Sequence, residues 1–268
     1  MGLAADRART GFGEAMLWLV DHPLVFFVTT LTLLIVSARV GVAASTRGHK
    51  LTSADRAEFD LVRNAMFTLL GLMVGFAISM AVSRYDLRKS YEEAEANAIG
   101  TEYLRLDLMP PETAAAARAL LRTYVDERIA FYLDHNPNRQ EKNDEATIET
   151  MNALWAAIAP AAKARQTPTD ALVASGMNDV LNAQGYTLAA WRNRLPVEVW
   201  MLLILIAAGC NFLVGFGAER LSPTTHAVLP VAAALAFLLI ADVEGPRNGF
   251  VQVSPVNIDD VASSMREK

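Results

Sequence analysis

The chain has 268 residues, of which 53% are hydrophobic and 20% are charged, and its formal net charge is −5. This composition is too apolar for an ordinary soluble domain and too charged for a protein that lies wholly in lipid, so we expect separate apolar and polar parts. The acidic balance, without a long basic run, argues against a nucleic-acid partner. The single cysteine, Cys210, excludes a disulfide framework within the chain.

Four apolar segments predict four membrane spans, at residues 23–44, 64–83, 196–218 and 225–241. The second is the clearest, because its 20 residues carry no charge and reach about 30 Å as a helix, which is the thickness of a hydrocarbon core. Arg39 in the first span can extend to the lipid headgroups. Buried helices of a soluble protein are the alternative, but four such runs in one chain disfavour it.

The segments around these spans are polar. They are an N-terminal cytoplasmic segment at 1–22, an external linker at 45–63, a helical cytoplasmic domain at 84–195 and a cytoplasmic tail at 242–268. No strand-like alternation is found in 84–195. The fold class expected is therefore all-α: a polytopic membrane protein with four transmembrane helices and a helical domain inserted between the second and third spans.

Local signals divide the polar block into helices. The first continues the second span without a break as far as Pro110, and a new helix begins at Pro111. The segment "HNPNRQEKND", residues 135–144, is interpreted as a loop. A later helix is expected from Pro168, with Thr167 as its N-cap.

The even number of spans places both termini and the polar block on one side of the membrane. Eight lysine and arginine residues lie near span ends on the side of the polar block, and six lie on the other side. This difference favours a cytoplasmic block only weakly. The size of the helical block is the stronger reason to place it in the cytoplasm.

No motif of an enzyme is present, and we expect no catalytic, cofactor or metal site. The histidines His22, His49, His135 and His226 are scattered, without metal-ligand spacing. The acidic run of Glu92, Glu93 and Glu95 has two interpretations, a cation site or a solvated helix face, and the second is favoured. Asn211, in the third span, is expected to bond to a neighbouring helix rather than to line a pore.

The second span has features of a pore-lining helix. Thr68, Leu72 and Phe76 are four residues apart and form one stripe, which Ser79 and Ser83 extend. A stripe that is apolar in its middle and hydroxylated at its ends suits a pore with a hydrophobic neck. On other faces, Gly71 and Gly75 allow close approach of neighbouring helices. Any membrane helix has such stripes, so ordinary packing is the alternative.

These residues resemble a known family. The segment "GFAISMAVSRYD", residues 75–86, is similar to the second span of the bestrophin anion channels. The longer "LLGLMVGFAISMAVSRYDLRKSYEEAEANAIGTEYLRLDLMP" and the later "ADVEGPRNGFVQVS" resemble the bacterial bestrophin-like family. The order of spans, helical block and tail agrees over most of the chain.

The resemblance implies a homo-oligomer, most simply a pentamer, in the lipid of a bacterial inner membrane. Its second spans would line a neck that passes small anions such as chloride. Thr68, Leu72 and Phe76 fall on the neck positions, although Thr68 departs from the bulky apolar pattern, and Arg84 and Tyr85 fall at the inner mouth. The family's calcium clasp has no counterpart in the short tail, so calcium gating is not expected.

Two other functions stay open. One is a non-conducting membrane scaffold or sensor whose cytoplasmic helices dock a partner. The other is a cation-selective pore, for which the acidic run would lie near the inner mouth.

Overall fold

A computed structural model describes residues 11, 13–47, 53–218, 223–247 and 249–267. Within these ranges every regular element is a helix, as the sequence predicts. The elements, in chain order, are α1 (13–20), α2 (Pro23–Arg47), α3 (Ser53–Arg105), a 3₁₀ turn η1 (Leu106–Leu108), α4 (Pro111–Leu133), α5 (Pro137–Arg165), α6 (Pro168–Arg192), α7 (Val197–Phe216), α8 (Pro223–Glu244) and α9 (Val256–Arg266).

Four helical stretches of the described chain are long and apolar enough to cross a membrane. They are Pro23–Thr46, Asp55–Leu108, Pro168–Phe216 and Ala227–Glu244. The protein is therefore a membrane protein with four candidate spans, which confirms the predicted fold class. The side of the membrane on which the polar helices lie stays a prediction.

The chain divides into two compact units. The first, here the span unit, comprises 1–83 and 194–252, and the second, here the helical unit, comprises 84–193 and 253–268. Each unit has its own core of buried side chains.

Helix α2 packs against α7 and α8 in the span unit. Its crossing with α7 is close because two glycines lie there. A Cβ atom on Gly215 would overlap the backbone oxygen of Ala38, and one on Gly41 would overlap that of Phe212. Glycine at these two positions therefore lets the backbones approach, which is how membrane helices commonly associate.

Asn211 of α7 is fully buried in the span unit. Its Nδ2 donates to the backbone oxygen of Ala207, one turn earlier on the same helix, at 2.8 Å. The predicted bond to a neighbouring helix is therefore not made by this donor.

Helix starts in the helical unit follow the local sequence signals, with one exception. Helix α4 begins at Pro111, and α6 begins at Pro168 with a capping box between Thr167 and Asp170, as predicted. The loop predicted for residues 135–144 is wrong, because α5 begins at Pro137. The Asn136 side chain accepts from the backbone nitrogens of Asn138 and Arg139 at 3.0 and 3.4 Å, and so caps that helix.

The C-terminal segment contains a helix, α9, that was not expected from the sequence. Its buried face, Ile258, Ala262 and Met265, belongs to the core of the helical unit. Glu92 of α3 accepts from the backbone nitrogen of Ile258 at 3.0 Å and from Nδ2 of Asn257 at 2.6 Å. This carboxylate therefore satisfies a backbone donor in the first turn of α9.

Candidate functional site

The predicted pore stripe lies on one outward face of α3. Thr68, Leu72, Phe76, Ser79 and Ser83 are all exposed in the chain, with Leu72 and Phe76 exposed by 54% and 55%. At about 100° per residue, these five side chains fall within an arc of roughly 80°. The structure therefore places the five residues on a single face that no described part of the same chain covers.

The opposite face of α3 is buried. Leu70, Ala77 and Ala81 are at most 7% exposed and belong to the core of the span unit. The helix thus presents one face to its own chain and leaves the stripe to lipid or to another protein. The hydroxyl of Thr68 donates to the backbone oxygen of Asn64 at 3.0 Å, so this polar group is satisfied within its own helix.

Gly71 and Gly75 lie outside the close helix contacts of the chain. A Cβ atom on either glycine would meet nothing within 4 Å. Gly71 borders an apolar groove with a volume of about 750 Å³, lined by Phe67, Leu70, Gly71, Val74, Val214, Val228, Leu229 and Ala233. Their predicted packing role therefore concerns a partner outside the chain, and it stays a prediction.

Arg84 and Tyr85, predicted at the inner mouth, are both half-buried. Tyr85 packs against the core of the helical unit. One turn further, Arg88 is 1% exposed and donates to the backbone oxygens of Ala190 and Asn193 at 3.4 Å each. Arg88 therefore binds carbonyls at the C-terminal end of α6, a favourable place for a cation.

The acidic run of Glu92, Glu93 and Glu95 was expected to form a solvated helix face. This interpretation is wrong for two of the three residues. Glu93 is exposed, but Glu92 and Glu95 are at most 1% exposed. Glu92 holds the first turn of α9, as described above. In the described part of the chain, no group of three or more His, Cys, Asp or Glu side chains is arranged to hold a metal ion.

Glu95 is the centre of a buried polar network. Its Oε1 accepts from the Tyr124 hydroxyl at 2.8 Å and from Nε of Arg128 at 2.6 Å. Its Oε2 accepts from Nη2 of Arg128 at 3.2 Å and from the Thr187 hydroxyl at 2.9 Å. One carboxylate therefore joins α3, α4 and α6.

The hydrogen bond from Tyr124 to Glu95 requires a protonated Tyr124 hydroxyl. Burial, and then the neighbouring charge of Glu95, raises the pKa of Tyr124 well above its usual range. The hydroxyl therefore stays protonated and can donate. A signal in the sequence could have shown this site: Arg128 follows Tyr124 by one helical turn, inside the apolar stripe of α4, where a charge requires a partner.

Comparisons with known proteins agree with this architecture. A family model described as a bestrophin-like domain matches residues 29–258. A solved structure of a bacterial bestrophin homologue from Klebsiella pneumoniae is 15% identical, with a TM-score of 0.63, over 90% of this chain and 97% of that one. A single-substitution variant of that homologue is 13% identical, with a TM-score of 0.65, over 91% and 95%. No curated protein sequence matches the chain.

Proposed function

The chain belongs to the bestrophin-like family, and on that premise we propose that it forms a homo-oligomeric channel for small anions such as chloride. The observation that carries the proposal is the outward stripe of α3. A single α3 cannot enclose a pore, whereas α3 helices from several copies, five as the resemblance to bestrophins implies, can place their stripes around one axis.

The neck in this proposal consists of rings of Thr68, Leu72 and Phe76. Rings of large apolar side chains form a short dry segment, and dewetting there is the barrier to ions. A monovalent anion that sheds part of its hydration at low cost passes such a segment more readily than a strongly hydrated cation. Ser79 and Ser83 continue the lining, and Arg84 supplies positive charge near its end.

The burial of two acidic residues removes the main argument for a cation-selective pore. Glu92 and Glu95 are committed to α9 and to Arg128, which leaves Glu93 as the one exposed carboxylate of the run. The cation pore depended on three carboxylates near the inner mouth, and only one of them is exposed. In the scaffold alternative the stripe of α3 is a contact surface between proteins and carries no current.

The proposal places the protein in a bacterial inner membrane, with the helical unit and both termini in the cytoplasm. Lipid acyl chains cover the apolar surfaces of the span unit that other copies leave open. The family is one of channels, so the proposal includes no catalytic step.

The test is single-channel recording from protein reconstituted in planar bilayers. With asymmetric potassium chloride, the reversal potential gives the sign of the permeant ion. The double variant Leu72→Ala/Phe76→Ala widens the neck, and we expect its conductance or open probability to rise. Phe→Ala at a packed site costs about 3–5 kcal/mol, but both side chains are more than half exposed in the chain, so the fold of each copy should survive, and size-exclusion chromatography checks the oligomer.

A matched control is Met80→Ala, which removes an apolar side chain that is 38% exposed on α3 but lies off the stripe, on the side away from Gly71 and Gly75. Its current should equal that of the unmodified protein. An intact oligomer of the double variant with unchanged or absent current would reject the neck and favour the scaffold alternative.

A further inference from the structure

A polar cavity of about 390 Å³ lies in the helical unit, where α3, η1 and α4 meet. Its walls are formed by Tyr103, Leu104, Asp107, Ala115, Arg118 and Arg122. None of these residues belongs to the stripe of α3 that lines the proposed pore, so the cavity requires its own explanation.

Two guanidinium groups converge on this cavity. Arg118 and Arg122 are one turn apart on α4, and their Cζ atoms lie 5.3 and 5.6 Å from the centroid of the Tyr103 ring. The aromatic ring attracts both cations. Like charges at this spacing on a helix nevertheless repel each other, which is unfavourable unless negative charge compensates them.

The compensation provided by the chain is incomplete. Arg118 forms an ion pair with Asp107, whose side chain is 69% exposed. Arg122 has no carboxylate partner among the described residues. Its Nη2 donates to the Tyr103 hydroxyl at 2.6 Å and to the backbone oxygen of Met265 at 3.0 Å, both of which are neutral acceptors. The pair of arginines therefore retains a net positive charge.

Donors also lack acceptors at this site. A guanidinium has five N–H donors in a fixed fork. Arg122, which is exposed, uses only Nη2 in its bonds to Tyr103 and Met265. Nε of Arg118 has no hydrogen-bond partner in the described part of the chain, but it is buried and out of reach of a ligand in the cavity. The donors open to a ligand are therefore Nη groups of the two arginines.

We propose that this cavity, the Arg118–Arg122 pocket, binds an oxyanion of the phosphate class. A phosphate group has several oxygens, so it can accept at once from Nη groups of Arg118 and Arg122, both of which line the cavity. The volume exceeds the needs of a single chloride ion. Arg122 also holds the last turn of α9 through Met265, so the ligand and the C-terminal helix share one residue.

The test uses the full-length protein in nanodiscs of phosphatidylcholine. Isothermal titration with inorganic phosphate should show saturable binding that chloride at equal ionic strength does not reproduce. Arg118→Gln and Arg122→Gln should each weaken binding tenfold or more. The matched control is Arg139→Gln on α5, an exposed arginine that also pairs with an aspartate, and its affinity should be unchanged.

A second variant keeps the test decisive if the arginine variants fold poorly. Asp107→Asn removes the carboxylate that competes for Arg118, and phosphate affinity should rise several-fold. A purely structural role for these residues predicts no such gain. Absence of binding in all arms, or unchanged or weaker binding by Asp107→Asn, would overturn the proposal.

Phosphate at this site could come from solution or from a lipid headgroup. Native mass spectrometry of protein released from nanodiscs that contain phosphatidate separates the two. Retention of phosphatidate that Arg118→Gln abolishes would identify a headgroup. Saturable binding of free phosphate, without such retention, would identify a soluble ligand. If neither form binds, the pocket is not an oxyanion site, and the proposed pore is unaffected.

Discussion

Replacing Glu95 by glutamine is expected to destabilise the helical unit strongly. The substitution keeps the shape of the side chain but removes its negative charge. Arg128, whose side chain is 1% exposed, then carries a buried charge without its counter-ion. The four neighbouring donors, one on Tyr124, two on Arg128 and one on Thr187, also meet one carbonyl oxygen and an amide NH2 group that cannot accept.

The magnitude follows from the burial of both partners. Removing one member of a buried ion pair typically costs about 3–5 kcal/mol, because the remaining charge is left uncompensated. This is a large fraction of the roughly 5–15 kcal/mol that holds a domain folded. For a chain of this size, the melting temperature should fall by roughly 6–20 °C.

A double variant separates the charge effect from loss of packing. In Glu95→Leu/Arg128→Met neither buried charge remains, although the Tyr124 and Thr187 hydroxyls lose their acceptor, at about 1–3 kcal/mol each. Its destabilisation should be smaller than the sum for Glu95→Leu and Arg128→Met, by about 0.5–3 kcal/mol, as expected for residues in direct contact.

The assay is thermal unfolding of the detergent-solubilised protein, followed by circular dichroism. Arg139→Gln is the control, because its pair with Asp134 at 2.7 Å has nearly the length of the Arg128–Glu95 contact but its arginine is 70% exposed. Exposed pairs contribute little, so no measurable change is expected. The reasoning is refuted if Glu95→Gln lowers the melting temperature no more than this control does.

Three further predictions concern packing, capping and topology. Gly215→Ala places a methyl group on the backbone of α2 and should abolish a monodisperse size-exclusion peak. The control is Gly185→Ala, which should keep that peak because a Cβ atom there meets nothing within 4 Å. Thr167→Ala removes the side-chain acceptor of the α6 capping box and should lower the free energy of unfolding by about 1 kcal/mol in chemical denaturation. A cysteine at Asn138, on a Cys210→Ala background, should resist an impermeant thiol reagent in intact cells, and periplasmic labelling would contradict the cytoplasmic placement.

Local and compositional signals predicted much of the fold. Uncharged runs long enough for a bilayer predicted the spans, because the backbone cannot leave its hydrogen bonds unmade in lipid. Proline at a first helical position predicted the starts of α4 and α6, because its missing N–H has no helical partner there. Pro137 carries the same signal, but the polar run after it was interpreted as a loop. The predicted start of α5 was therefore too far towards the C-terminus.

The burial of Glu92 and Glu95 could not be predicted from their own segment. Three carboxylates within four positions of a helix normally face water, and Arg88 and Lys89, one turn before Glu92 and Glu93, fit such a solvated face. Their partners come from distant segments: Arg128 lies 33 residues later, and Ile258 lies 166 residues later. Interactions of this kind depend on tertiary packing, which one segment of sequence does not encode.

The outward glycines of α3 bear on assembly. In lipid, apolar character alone does not decide which face of a helix packs, because acyl chains solvate leucine as well as a protein core does. Small residues let helices approach closely, and Ala77 and Ala81 face the chain's own helices. Gly71 and Gly75 are also small, yet a Cβ atom on either would meet nothing within 4 Å in the chain. Their lack of a neighbour within the chain is what contact with a second copy would explain, and it is therefore an argument for assembly that does not depend on the neck.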